Sequence, residues 1–188
     1  MSKAAQFATD LVKYVKNSEA IEIGNEPDLF NGQANIQAPK NYDQTKYAND
    51  FQSYSVAINA ALPDVLADYS PWSAQSVYDA GLKSIKSIKT FAMHYYSGNP
   101  KTSPTLRGTF LNHTTMNSCL GRLRDDIASA RALNTPFVIE ELGSILGSTG
   151  AVYEAGIDKS LGSALWAIDV LLQSQAWNVS RVNSTYHR

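Results

Sequence analysis

The stretch that decides the fold is Ala20-Ile21-Glu22-Ile23-Gly24-Asn25-Glu26-Pro27-Asp28. Its first half is a short, β-branched run that reads as a strand, and Asn25-Glu26-Pro27-Asp28 reads as a turn with helix-start chemistry, because proline suits the first helical position. A helix leads into it. Phe7, Leu11 and Val15 recur every four residues, with Ala4, Val12 and Tyr14 widening the stripe, so 3–16 reads as an amphipathic helix ended by Asn17-Ser18. Beyond an irregular loop from Asn31 to Lys40, helix and strand go on alternating. Tyr47, Phe51, Tyr54 and Ile58 mark a helix ending before Pro63, and Val65-Leu66-Ala67 a very short strand. Residues 73–87 have helical spacing at Val77, Leu82 and Ile85, and Thr90 to Tyr96 follows as a strand stopped by Ser97-Gly98-Asn99-Pro100. Leu120 to Leu133 reads as helix, and Phe137-Val138-Ile139-Glu140-Glu141 as a strand halted by Leu142-Gly143-Ser144. A helix from 157 to 173 carries Leu161, Leu165, Ile168 and Leu172, and Val179 to Val182 is a last strand.

Helix-length connections between strands, with no tight hairpins, are the grammar of a parallel sheet covered by helices. A doubly wound sheet would place a Gly-rich phosphate turn after the first strand, and Gly24-Asn25-Glu26-Pro27 cannot make one. In a barrel, functional residues sit at strand C-terminal ends, which is where Asn25-Glu26, His94-Tyr95-Tyr96 and Glu140-Glu141 fall. The expected fold class is therefore α/β, a partial TIM (β/α)8 barrel of about five strand/helix units, with residues 1–188 as one domain. The five strand candidates lie near residues 20, 65, 91, 137 and 179, and a complete barrel takes about 250 residues.

Composition narrows the function classes. A chain of 188 residues, 44% hydrophobic and 18% charged, suits one globular core. Sixteen Lys and Arg against 17 Asp and Glu leave a net charge of −1, so no electrostatic footprint for nucleic acid or an anionic membrane is expected. Cys119 is the single cysteine and can form neither an internal disulfide nor a thiolate cage. No metal site and no cofactor is implied. Lys3, Asp10, Lys13 and Lys16 interrupt any apolar leader, so no signal peptide is visible. The apolar run Ala164 to Leu172 is broken by Asp169 and falls short of the ~18 residues a membrane span needs. Three sequons, at Asn112, Asn178 and Asn183, would permit glycosylation on export.

Two carboxylates on the ends of distant strands can face each other across a barrel mouth. Retaining glycoside hydrolysis needs one acid to protonate the leaving oxygen and one carboxylate to attack the anomeric carbon. The competing reading makes Glu26 a helix-start acid favoured by the macrodipole, and Glu140 and Glu141 a solvated strand end.

The run Glu22-Ile23-Gly24-Asn25-Glu26-Pro27-Asp28-Leu29-Phe30 resembles the acid/base strand of glycoside hydrolase family 79, the β-glucuronidase and heparanase-like family, especially its fungal members. The likeness continues through Tyr54 and Ile58, His94-Tyr95-Tyr96, Pro136-Phe137-Val138-Ile139, the run Ala164-Leu165-Trp166-Ala167-Ile168-Asp169 and Asn178-Val179-Ser180-Arg181-Val182. Asn-Glu-Pro alone is shared by many clan A glycosidases. The resemblance implies Glu26 as acid/base, Asn25 as a contact to the sugar 2-hydroxyl, and Glu141 as nucleophile, with Glu140 as the alternative one residue away. Tyr96, or else Tyr95, matches a tyrosine that hydrogen-bonds the nucleophile in such barrels, and His94 props the sugar site or the strand end. Trp72 and Trp166 read as core. The family's strand ends in Gly-Glu-Thr-Asn-Ser, so Leu142 and Gly143 replace two hydrogen-bonding residues, and Ser144 fixes the register.

On the family's plan the five strands resemble strands four to eight. The first three strands, the secretion signal and the C-terminal β-sandwich are then expected to be absent. The implied substrate is a β-glucuronide or a proteoglycan-type glycan. Two alternatives stand beside hydrolysis: a non-catalytic truncated remnant that binds carbohydrate or a protein partner, and a clan A glycosidase of other specificity such as a β-glucosidase. Open barrel edges imply self-association. Localisation stays open, since family members are usually secreted.

Overall fold

In the computed structural model, parallel strands alternate with helices as the sequence spacing requires. The structure describes residues 3–16, 21–32, 40–58, 64–68, 72–86, 88–98, 103–146 and 156–184. The expected stops at Asn17-Ser18, Pro63 and Asn99-Pro100 and most of the Asn31–Lys40 loop lie outside the described residues. The elements are α1 (Lys3–Tyr14), β1 (Ile21–Glu22), α2 (Gln44–Ile58), β2 (Asp64–Asp68), α3 (Ala74–Ala80), β3 (Ile88–Gly98), α4 (His113–Leu120), α5 (Arg124–Ala132), β4 (Phe137–Ile145), α6 (Leu161–Ala176) and β5 (Arg181–Ser184). The strands hydrogen-bond in the order β1-β2-β3-β4-β5, and the pairs β1·β2, β2·β3 and β4·β5 are parallel. Spatial order follows chain order with no reversal, as in a barrel sheet; a doubly wound sheet reverses at its ligand crevice. The α/β class is as expected. None of the described helices is long and apolar enough to cross a membrane.

The chain divides into two compact units, Met1–Met93 with Ser129–Pro136, and His94–Ala128 with Phe137–Arg188. In the first, Tyr47 and Phe51 on one face of α2 are buried edge to face, and Trp72 packs on Tyr47 and Tyr42. Trp72 is core, as its surroundings in the sequence suggested. The expected helix over 73–87 is shorter: Ser73 and Ser76 close a capping box at the start of α3, and Gly81 ends it before a 3-10 turn, Leu82–Ser84.

In the second unit two strands outrun the sequence reading. β3 continues to Gly98 and β4 to Ile145, so Leu142-Gly143-Ser144 continues the strand instead of halting it. Leu142 is buried and pairs with Ser184 of β5, and burial overrides the turn propensity of Gly and Ser. The expected helix from 120 to 133 opens as a 3-10 turn at Gly121–Leu123 and continues as α5, while α4 precedes it and ends at Leu120.

α6 differs most from its pattern. Leu161, Leu165, Ile168 and Leu172 share the helical spacing of a core face, yet all four are exposed, Leu161 by 77%. The buried face is Gly162, Ser163, Trp166, Val170 and Ser174. Close approach accompanies the choice: the Leu106 side chain lies against the Gly162 α-carbon, so a β-carbon there would have to push the leucine aside. Trp166 then stacks on Tyr95 at 6.4 Å between centroids, and its Nε1 donates to Ser97 Oγ at 2.7 Å. The same Oγ lies 2.7 Å from the Tyr95 hydroxyl, so one serine satisfies two aromatic polar groups at once.

Ser97→Ala strips a partner from both Trp166 and Tyr95. Each polar group left buried and unpaired costs about 1–3 kcal/mol, so the unfolding free energy falls by roughly 2–4 kcal/mol, read from urea titration. A loss under about 0.5 kcal/mol would show that the network carries no stability.

Burial pushes the Tyr95 hydroxyl up from 10.0 to about 12, with Arg122 and the Ser97 bond opposing the rise. The unfolded chain therefore loses this proton at a lower pH than the folded one. The neutral hydroxyl's contribution is present in full below pH 10 and is lost as pH rises toward 12, on the order of 3 kcal/mol in all. Tyr95→Phe should flatten the decline in unfolding free energy over that window, and an unchanged slope would refute the assignment.

Candidate active site

Glu26 sits four residues beyond β1 in a segment the backbone holds under strain. Gly24 has φ +88°, and Tyr47 donates its hydroxyl to the Ile23 carbonyl at 2.8 Å, pinning the chain as it leaves the strand. Glu26 itself has φ +48°, a left-handed conformation that glycine adopts freely and a glutamate adopts at a cost of roughly 1–2 kcal/mol. Pro27 then opens a 3-10 turn, Pro27–Gly32, whose first bond runs from Leu29 N–H to the Glu26 carbonyl at 3.0 Å. Asn25 is exposed and Glu26 half-buried. The helix-start role read as the alternative is therefore present in the backbone, at a residue whose φ is left-handed.

Glu140 and Glu141 lie in the middle of β4, not at its end. The β4–β5 register runs Ile139 to Val182 and then Leu142 to Ser184, three steps on one strand against two on the other, which marks a β-bulge at the two glutamates. The bulge interrupts the burial of β4, leaving both side chains half-buried between buried neighbours. They turn to opposite strands. Tyr96 of β3 donates its hydroxyl to Glu141 Oε2 at 2.7 Å, and His94 Nδ1 stands 3.5 Å from the same oxygen. Glu140 instead faces β5, its Oε2 being 4.0 Å from Arg181 Nη2.

His94 is 1% exposed and Tyr96 nearly so, while the Glu141 side chain keeps 30% of its surface open. Between Tyr95 and Tyr96, the tyrosine that meets Glu141 is Tyr96. Tyr95 points to Ser97 and Trp166. Trp166 is buried against Tyr95 and Phe110, so it is core as expected. Beyond the bulge, a cavity of about 400 Å³ is lined by Leu142, Gly143, Ser144, Ser163, Trp166 and Ser184, among others. Glu26 belongs to the first unit, and Glu141, Tyr96 and His94 to the second. Among the described residues no cluster of three or more His, Cys, Asp or Glu could hold a metal ion.

No family model matches the chain. A curated β-glucuronidase of Aspergillus niger is 27% identical over 182 residues, covering 86% of this chain and 33% of the relative. A second, from Neurospora crassa, is 26% identical over 182 residues, covering 85% of this chain and 32% of the relative. The chain is similar to fungal β-glucuronidases. This β-glucuronidase-like chain spans about a third of the length of the curated relatives it matches. Among solved structures, a 4-O-α-L-rhamnosyl-β-D-glucuronidase from Fusarium oxysporum superposes with TM-score 0.76 at 20% identity, covering 97% of this chain and 40% of that one. An α-L-arabinofuranosidase from Thermotoga maritima superposes with TM-score 0.61 at 16% identity, covering 96% and 37%. The fold of the β-glucuronidase-like chain is that of part of a barrel glycosidase, in keeping with the order of its strands.

Proposed function

We propose that the chain carries the two catalytic carboxylates of a retaining glycoside hydrolase acting on β-glucuronides, free or as part of a proteoglycan-type glycan. The observation that carries this reading is Glu141 on its bulge, hydrogen-bonded by the Tyr96 hydroxyl at 2.7 Å with part of its surface open. A carboxylate so held presents one oriented oxygen for attack while the other is bound, as nucleophilic catalysis requires. The named activity of the fungal relatives supports the sugar class.

In this mechanism Glu141 attacks the anomeric carbon as Glu26 donates its proton to the departing oxygen, giving a glycosyl ester on Glu141. Glu26, now ionised, takes a proton from the incoming water, which attacks the anomeric carbon and releases the sugar. Asn25 holds the sugar 2-hydroxyl, a contact that strengthens in the transition state. His94 and Tyr96 fix the nucleophile. Glu140, engaged toward Arg181, is not the nucleophile in this reading. Neither step requires a metal or an organic cofactor.

Residues 1–188 act as one partial barrel domain of the protein that performs this reaction. The chain alone is expected to be inactive and to self-associate through strand edges. The test replaces the matched segment of the Aspergillus niger relative with residues 1–188 and assays an aryl β-glucuronide against an aryl β-glucoside. Turnover of the glucuronide by the folded chimera supports the proposal. A preference for the glucoside moves the specificity, and a folded chimera without turnover leaves a non-catalytic remnant as the reading.

A further inference from the structure

We infer that Gly143 is a positioning residue that sets Glu141 through Tyr96, an assignment whose catalytic meaning rests on the reading of Glu141 as nucleophile. Glycine inside a strand is unfavourable, since it loses more backbone freedom than any other residue and packs no side chain. Three circumstances usually explain it: a left-handed backbone, a bulge that needs one, or the close approach of another group. At 143 the backbone lies outside the left-handed region, and the bulge falls before Leu142. Close approach remains, and the approaching group is the Tyr96 ring. A β-carbon built at 143 would lie 2.6 Å from Tyr96 Cδ1 and nearer still to Cε1, well inside any real contact.

The consequence reaches Glu141 because the ring is rigid. Tyr96 is buried, so its ring cannot swing outward, and its hydroxyl ends 2.7 Å from Glu141 Oε2. A hydrogen bond weakens steeply with small displacements, so moving the ring off the 143 α-carbon loses the bond. At the position where the resembled family carries asparagine, this chain has a glycine, and the Tyr96 ring lies directly against its α-carbon. Gly143 is thereby part of how Glu141 is held, and its lack of a side chain is the functional feature.

Tyr96 can be followed through its Cζ resonance in tyrosine-13C-labelled protein, assigned with Tyr96→Phe. In the parent, Glu141→Gln should move that resonance, because the acceptor changes from carboxylate to amide. In Gly143→Ala the same replacement should leave it where it is, because ring and carboxylate are already apart. Gly143→Ala should also lower the thermal unfolding midpoint by at least ~4 °C with Tyr96 present, and not at all in Tyr96→Ala. Equal responses of the resonance in the two backgrounds, no response in the parent, or an equal midpoint loss without the ring would each overturn the inference. Should Gly143→Ala fail to fold, Tyr96→Ala/Gly143→Ala should fold in its place, and its failure would equally overturn it. None of these readouts needs turnover. An inactive chimera would therefore defeat the proposed function and leave this assignment standing, while an unresponsive Tyr96 would do the reverse.

Discussion

Glu141→Gln should lower hydrolysis of an aryl β-glucuronide by the chimera by roughly 10⁴-fold or more, the scale of losing an essential nucleophile. Glutamine is nearly the same size and still accepts from the Tyr96 hydroxyl, so the fold and the 2.7 Å contact should survive. What it cannot do is form the glycosyl ester. Glu140→Gln provides the contrast, because it removes only a 4.0 Å pair with Arg181 and should change the rate by less than about tenfold. Steady-state rates for the two variants and mass spectrometry of a trapped glycosyl adduct decide the matter. An adduct on Glu140, or a larger loss there than at Glu141, would move the nucleophile by one residue.

For Glu26→Gln the expected loss depends on the leaving group. Substrates whose departing oxygen needs a proton should slow by roughly 10²–10⁴-fold, the usual contribution of a positioned general acid. A dinitrophenyl glucuronide, whose oxygen leaves without help, should keep its glycosylation rate. Equal losses for both would refute the role of Glu26. A second variant separates chemistry from strain. Glu26→Gly relieves a left-handed φ of +48° and should raise the unfolding free energy by about 1 kcal/mol while losing the acid. A stability cost at the proposed acid would be the pattern of strain held at a working site. If glycine destabilised the chain instead, the conformation would be serving the 3-10 turn that follows.

The sequence by itself determined the alternation of helix and strand and, through Asn25-Glu26-Pro27 in place of a Gly-rich phosphate turn, the barrel-type order of the strands. Those features are local. They follow from hydrophobic period, helix-start chemistry and the absence of hairpin turns, all of which are written in neighbouring residues. It also singled out Glu26, Glu141, Tyr96 and His94, through their strand positions and their resemblance to a known family.

Only the tertiary structure decided the rest. Strand pattern alone does not separate Glu140 from Glu141, and in the fold they part at a bulge, Glu141 meeting Tyr96 and Glu140 facing Arg181. Leu142-Gly143-Ser144 has the composition of a stop, yet continues β4 because Leu142 is buried and Tyr96 fills the space over Gly143. The leucine stripe of α6 faces outward while the opposite face packs inward, with Gly162 against Leu106 and Trp166 bonded to Ser97. In each case the deciding partner is distant in the chain, and periodicity reports that a residue wants to be buried without saying which surface is shaped to receive it.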